Sequence, residues 1–132
     1  MNLGFLALLF ATCYASVTDC SNGLSVFKIT SMSFSPDPAI PGQNSTLLLS
    51  MNVPEVVNDG TATYSTTYNF IPFSPTVEPL CGTVTCPIQI GVLDTRSSYP
   101  IDSSLSGSIG IRIVWNDPDA RQLMCIQIKT KV

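Results

Sequence analysis

The sequence predicts an all-β fold, a two-sheet immunoglobulin-like β-sandwich. Runs rich in Val, Ile, Thr, Tyr and Phe are separated by clusters of Pro, Gly, Asn, Asp and Ser. No long segment has the helical period of about 3.6 residues. About six or seven short strands at this spacing are typical of such a sandwich. The 132 residues are 45% hydrophobic and 11% charged, which fits one domain with a sizeable core.

The alternation of apolar and polar residues predicts where individual strands lie. In the clearest run, Ile109, Ile111, Ile113 and Trp115 fall on one face and Arg112 on the other, which indicates one buried face and one wet face. The predicted strands, in chain order, are Ser25–Ser35, Gln43–Val53, Thr61–Ile71, a short piece at Ile88–Leu93, Ser108–Asn116 and Leu123–Lys131.

Turn residues punctuate the chain between these strands. Pro41-Gly42, Asn58-Asp59-Gly60 and Asn116-Asp117-Pro118 all contain residues that tolerate or preset turn dihedrals. Prolines concentrate between Pro72 and Pro87, so this stretch is not predicted to form a central strand. It is either a functional lip or a covered crossover.

The amino terminus has the pattern of a secretory leader. Residues 2–11 form an apolar run that is too short to span a bilayer, and small residues follow it. We expect cleavage after Ala15 and a mature domain of residues 16–132. The usual Lys or Arg before the apolar run is missing, and the alternative is a buried amino-terminal helix or strand.

The cysteines predict two disulfides. Cleavage removes Cys13, and four cysteines in a secreted protein are better explained by disulfides than by redox or metal chemistry. Of the three possible pairings we favour Cys81–Cys86, because these residues are close in sequence, which leaves Cys20–Cys125. Closing the long loop should contribute about 4 to 5 kcal/mol on the chain-entropy model and closing the short one about 2.

Several function classes are disfavoured by composition. The chain has no histidine, which removes Ser-His and Cys-His nucleophile pairs and imidazole metal ligands. Asp117 and Asp119 lie in a turn without the alternating ligands of a calcium loop, and the other carboxylates are scattered. A net charge of -3 supplies no basic face for nucleic acid. We therefore expect no catalytic residue, no enzyme activity, no metal, no cofactor and no nucleic-acid partner.

Asn44 begins an Asn-Ser-Thr acceptor for N-linked glycosylation. In a secreted chain this predicts a glycan at Asn44. The glycan would be evidence about compartment and not about mechanism.

One combination of residues resembles a known family. Phe73 stands eight residues before Cys81, and Cys86-Pro87-Ile88-Gln89 is followed by a strand that ends near Trp115. Together with Cys20, Cys125 and the step Tyr99-Pro100-Ile101, their order resembles the ML domain, a family of secreted lipid-recognition β-sandwiches. The likeness covers nearly all of the mature chain.

The resemblance implies two sheets that part at one end around an apolar cavity, and non-covalent carriage of a lipid. It implies an aromatic residue at the pocket mouth (Phe73) with a weaker neighbour (Phe70). The remaining implied roles are an opposing lip and a cavity floor, namely Pro100 and Ile101 for the lip and Ile109, Ile111, Ile113 and Trp115 for the floor. Ordinary sandwich core is the alternative for the floor residues, because an inward Ile row looks the same in both cases.

One departure from the family pattern affects the ligand. Leu105-Ser106-Gly107 stands where sterol-carrying members place a Tyr-Pro that helps to close the entrance. The predicted ligand therefore stays open among a sterol, a phospholipid and a fatty acid.

The leading hypothesis is a monomeric lipid-binding and transfer protein of the extracellular space or the endosomal or lysosomal lumen, which meets donor and acceptor membranes. The alternatives are a recognition module that binds a protein or glycolipid without transfer, and a structural surface protein with closed sheets.

Overall fold

A computed structural model describes residues 16–132, and the predicted leader lies outside the described residues. This range forms strands joined by turns and one short 3-10 helix. In chain order the elements are β1 (Ser16–Asp19), β2 (Lys28–Ser35), β3 (Asn44–Val53), β4 (Thr61–Tyr68), β5 (Ile71–Pro72), β6 (Thr76–Pro79), the 3-10 helix (Leu80–Gly82), β7 (Gly91–Pro100), β8 (Ser108–Asn116) and β9 (Gln122–Lys131).

The strands form two antiparallel sheets, so the predicted sandwich is confirmed. The six-stranded sheet has the order β1-β9-β8-β4-β5, and β6 also pairs with β4. The three-stranded sheet has the order β2-β3-β7, which leaves β7 paired on one side only, with β3.

The strands differ from the sequence prediction in several places: β1 was not predicted, and β2 begins at Lys28 and not at Ser25. The predicted strand Thr61–Ile71 is broken by a two-residue turn at Asn69 and Phe70, whose φ angles are +50° and +68°. The pairing of β6 with β4 places a short strand inside the proline-rich stretch; it is peripheral, as its prolines require. The predicted short piece at Ile88–Leu93 is instead the ten-residue strand β7.

The core consists of the inward rows of the two sheets. On the six-stranded sheet, Ile113 and Trp115 of β8 lie beside Ile126 and Met124 of β9, and all four are buried. The ring of Phe27 meets Trp115 edge to face, with centroids 6.5 Å apart. The Ile/Val alternation seen in the sequence therefore reflects real burial on one face.

On one side of the sandwich the chain itself crosses between the sheets. The segment that leads from β1 to β2 is bonded to the start of β9, because Phe27 N donates to Leu123 O at 2.8 Å and Val26 N donates to Gln122 O at 3.1 Å. The disulfide Cys20–Cys125 fixes the beginning of this segment, with Cα atoms 5.1 Å apart. On this side, this disulfide and these two main-chain hydrogen bonds therefore join the β1–β2 segment to β9.

The second disulfide, Cys81–Cys86, closes the loop between β6 and β7. Both disulfides that the sequence predicts are thus present. At the same end of the sandwich, Arg121 before β9 forms ion pairs with Glu55 after β3 and with Asp117 in the β8–β9 turn. These side chains are largely exposed apart from Asp117, so the contacts position the end more than they stabilise it.

Candidate functional site

The two sheets enclose a small space beside β7. The space open to a water-sized sphere is about 10 Å³, enough for about one water molecule. The family resemblance implies a larger opening, and here the sheets are nearly closed over this space. Its wall consists of Leu47, Leu49, Tyr64, Thr83, Thr95, Ser97, Tyr99, Ile113, Trp115, Met124 and Ile126.

The wall is largely apolar on the six-stranded sheet, where Tyr64 brings the one hydroxyl, and carries a row of hydroxyls on β7. The six-stranded sheet contributes Ile113, Trp115 and their β9 neighbours, whereas β7 contributes the alternate residues Thr95, Ser97 and Tyr99. None of the wall residues carries a charge at neutral pH. The space therefore suits an uncharged, largely apolar group that has an oxygen along one edge.

Tyr99 marks where the space approaches the surface. Burial raises the pKa of the Tyr99 phenol above its ordinary value, a hydrogen bond with the Ser97 side chain opposes the rise, and nearby Tyr64 and Glu78 add to it. Glu78 lies on β6 opposite the buried Ala62. The rim between β6 and β7 thus combines phenol groups with one carboxylate.

A second feature is the hairpin tip, defined here as residues 69–73, which runs from the end of β4 through β5. Its apolar side chains face solvent: Phe70 is 86% exposed, Ile71 63% and Phe73 55%. Phe70 has φ +68°, a left-handed conformation that costs about 1–2 kcal/mol for a residue with a Cβ. A strained, exposed aromatic residue has no role in the core.

The hairpin tip is held in place by the loop before β8. Asn69 N donates to Ser108 O at 2.8 Å, and Ser108 N donates to Asn69 Oδ1 at 2.9 Å. Gly107 sits under Asn69 with φ +122°, and a Cβ there would collide with the Asn69 side chain. This contact explains why the loop has glycine at this point, and it keeps Phe70 in a fixed position.

Basic residues lie near the hairpin tip on the outward face of the six-stranded sheet. Arg112 of β8 and Lys129 and Lys131 of β9 are exposed and share this face. Lys131 pairs in register with Ser108, which itself contacts the hairpin tip. Three of the six basic residues of the chain are therefore on one face.

The predicted site residues fall into two groups. Ile113 and Trp115 line the inter-sheet space, whereas Ile109 and Ile111 lie on the same face of β8 but outside its wall. The other four are distributed over the end of the sandwich that carries the hairpin tip: Phe70, Phe73 and Pro100 are exposed, and Ile101 is buried. Their roles toward a lipid stay predictions, and burial of Ile101 favours packing under the rim over a place on its surface.

Sequence reasoning missed the hydroxyl row of β7. Thr95, Ser97 and Tyr99 are half-buried, while Asp94 before them and Arg96 and Ser98 between them are exposed. The signal was present, because charged residues at alternate positions place the intervening residues inward. It was overlooked because serine and threonine are also common in loops.

Two negative findings concern the part of the chain that the structure describes. Residues 16–132 contain no group of three or more His, Cys, Asp or Glu positioned to hold a metal ion. No helix in that range is long and apolar enough to cross a bilayer.

Comparison with known sequences assigns the chain to a family. A sequence model described as the ML domain matches residues 15–132. Two Dictyostelium discoideum proteins, named as candidate phosphatidylglycerol/phosphatidylinositol transfer proteins 1 and 3, are 31% and 29% identical over 119 residues. These alignments cover 86% and 87% of this chain and 78% and 79% of the relatives.

Comparison with solved structures gives the same fold. A Niemann-Pick type C2 protein from Japanese carpenter ant superposes with a TM-score of 0.66 at 13% identity, over 88% of this chain and 98% of that one. Chicken MD-1, solved in complex with lipid IVa, gives a TM-score of 0.64 at 14% identity, over 89% of this chain and 88% of that one.

Proposed function

This chain belongs to the ML-domain family, a family of lipid-binding and lipid-transfer proteins, and from that premise we propose that it carries a sterol, phospholipid or fatty acid between membranes. The lipid would be held without covalent chemistry between the two sheets. The observation that carries the proposal is the uncharged inter-sheet space beside β7, whose floor is Ile113 and Trp115. A buried acyl chain or sterol gains about 25 cal/mol for each Å² of apolar surface removed from water.

Lipid entry requires the sheets to separate. Ligand pockets are usually about 300–1,000 Å³, far more than the space in this closed structure. Separation is least costly beside β7, because β7 pairs only with β3 and no β7 partner is lost when it moves away from the six-stranded sheet. On the opposite side the bonds from Phe27 to Leu123 and Val26 to Gln122 join the sheets. We therefore place lipid entry between β6 and β7, at the rim that carries Tyr99.

The hairpin tip and the basic face are proposed to contact the donor and acceptor membranes. Phe70 and Ile71 would enter the interfacial layer of the bilayer, while Arg112, Lys129 and Lys131 would lie over anionic headgroups. The apolar tip supplies burial, and the three cations supply attraction worth about 1 kcal/mol each near an anionic surface.

The proposed compartment is secreted, endosomal or lysosomal. Two disulfides support an oxidising environment. The exposed position of Asn44 at the start of β3 leaves room for a glycan. Amino-terminal sequencing of the protein secreted from a eukaryotic host should begin near Ser16, and an N-glycosidase should reduce its mass only while Asn44 is intact. Retention of residues 1–15 would contradict the secretory proposal.

The deciding experiment is solvent extraction of the secreted protein followed by mass spectrometry. We expect about one lipid per protein, and exchange of that lipid between vesicles when protein is added. A protein that is reproducibly empty and takes up neither sterol nor phospholipid would be a structural protein with permanently closed sheets. Lipid binding without exchange between vesicles would instead establish the recognition role.

A further inference from the structure

Two buried polar atoms in residues 16–132 have no hydrogen-bond partner: Ser45 Oγ and Trp115 Nε1. Such groups are uncommon in folded proteins, because a buried donor or acceptor loses its bonds to water on folding. An unpaired buried group of this kind therefore needs a structural or functional explanation. The two differ in their surroundings, because Trp115 lines the inter-sheet space and Ser45 does not.

The Trp115 side chain offers a single kind of interaction. An indole N–H donates and never accepts, so what it lacks is an acceptor oxygen. The ring is 3% exposed, and solvent at the surface does not reach it in the closed form. Its neighbours Ile113 and Met124 have no side-chain oxygen, and although Tyr64 of β4 brings a hydroxyl to the same wall, Trp115 Nε1 makes no hydrogen bond to it.

The opposite wall of the space shows which kind of oxygen would fit. Thr95, Ser97 and Tyr99 bear hydroxyls at alternate positions of β7, and the wall has no charged residue. A carboxylate or phosphate inside would be buried without a counter-charge, which is strongly unfavourable. A neutral hydroxyl, carbonyl or ester oxygen can accept from Trp115 and also bond to the hydroxyl row.

We propose that the lipid held by this chain bears a neutral oxygen on the part that enters the sandwich, and that Trp115 Nε1 donates a hydrogen bond to it. This inference rests on the proposed lipid-binding function and narrows its ligand class. A plain hydrocarbon chain would leave Trp115 unpaired after water is excluded. Sites built around such a buried polar group discriminate strongly against an analogue that lacks the partner.

The test compares stearic acid with a stearic acid that has a hydroxyl at mid-chain. Both carry the same carboxylate, so only the buried oxygen differs. We expect the wild-type protein to bind the hydroxylated acid about tenfold more tightly, and Trp115→Phe to bind the two acids equally. Phenylalanine keeps an aromatic ring against Phe27 and removes the donor together with part of the indole ring system. Ser45→Ala, the matched control, removes the other unpaired buried polar group and should keep the wild-type preference.

The chain contains a single tryptophan, which supplies a second measurement on the unaltered protein. Hydrogen bonding to the indole nitrogen shifts tryptophan emission to longer wavelength, so the hydroxylated acid should shift it further than stearic acid does. This readout decides the question even if Trp115→Phe does not fold.

Equal binding of the two acids by the wild type, a preference retained in Trp115→Phe, or identical emission with both acids would overturn the inference while leaving lipid binding intact. Failure of the wild type to bind either acid, or any sterol or phospholipid, would remove both the inference and the proposed function.

Discussion

The Tyr68 hydroxyl forms hydrogen bonds with both main-chain groups of Ser106. Its hydroxyl donates to the Ser106 carbonyl oxygen at 2.7 Å and accepts from the Ser106 N–H at 3.0 Å. Tyr68, the last residue of β4, therefore fastens the loop that precedes β8 beside the hairpin tip.

Replacing Tyr68 by phenylalanine should loosen this end of the sandwich. Both hydrogen bonds to Ser106 are lost while the ring remains, and we expect the free energy of unfolding to fall by about 1–2 kcal/mol. Urea denaturation measures the change. Ser103→Ala, in the exposed part of the same loop, serves as the control and should leave the midpoint unchanged. A Tyr68→Phe midpoint equal to that of the wild type would show that water replaces the phenol without cost.

Replacing Phe70 by glycine should stabilise the fold and weaken membrane binding at once. Glycine adopts the φ of +68° without strain, which should raise the free energy of unfolding by about 0.5–1 kcal/mol. Loss of the phenyl ring should weaken binding to phosphatidylglycerol-containing vesicles by about tenfold or more, because burial of that ring is worth about 1.5–3 kcal/mol.

Thermal or urea unfolding and vesicle sedimentation measure the two effects of Phe70→Gly. Leu24 is 82% exposed and lies at the other end of the sandwich, beside the start of β9, so Leu24→Ala should not alter sedimentation with vesicles. Equal losses for both variants would mean that the hairpin tip has no special role at the bilayer.

Tyr99 should make the protein less stable in alkali. Its pKa is raised in the folded state, so the fold binds the phenolic proton more tightly than the unfolded chain does. The resulting stabilisation is fully present below the unfolded value of about 10 and is lost as pH rises through the folded value. Tyr99→Phe should lose less stability over this alkaline window, and near-ultraviolet titration of the variant should lack the latest tyrosinate step. A steeper alkaline loss in the variant would contradict the assignment.

The two disulfides should differ in their contribution to stability. Replacing Cys20 and Cys125 by serine opens a loop of 105 residues, and the chain-entropy model gives a loss of about 5 kcal/mol. Replacing Cys81 and Cys86 opens a loop with a sequence separation of 5, for which the same model gives about 2 kcal/mol. Denaturant unfolding of the two double variants tests the order. A larger loss at Cys81–Cys86 would show that this loop does more than restrict the unfolded chain.

The parts of the fold that sequence predicted well are those in which one residue type dominates a face. The isoleucines of β8 alternate with polar or smaller residues and lead to Trp115, so the pattern predicts a strand with one buried face. The disulfide pairing was accessible because Cys81 and Cys86 are neighbours in sequence. Both results depend on local information.

The parts that sequence predicted poorly depend on partners far along the chain. In β6 only Thr76 and Val77 have a high strand propensity, and prolines flank the segment. It becomes a strand because β4 pairs with it in the folded state. β7 was truncated in the prediction because its inward hydroxyls resemble a loop. Neither the break at Asn69–Phe70 nor the anchoring of Asn69 by Ser108 has a local signature, since aromatic residues rarely adopt positive φ.

The chain crossover on one side of the sandwich, where Phe27 is bonded to Leu123, limits the route by which a lipid could enter and leave. A carrier that opens only beside β7 must admit and discharge its cargo through one doorway. In the proposed route the hydrocarbon end would go in first and lie deepest, and the headgroup would stay near the aqueous phase. With the doorway facing a bilayer, the tail would point into the membrane before uptake and into the protein after it, so the lipid would have to turn end for end at each transfer.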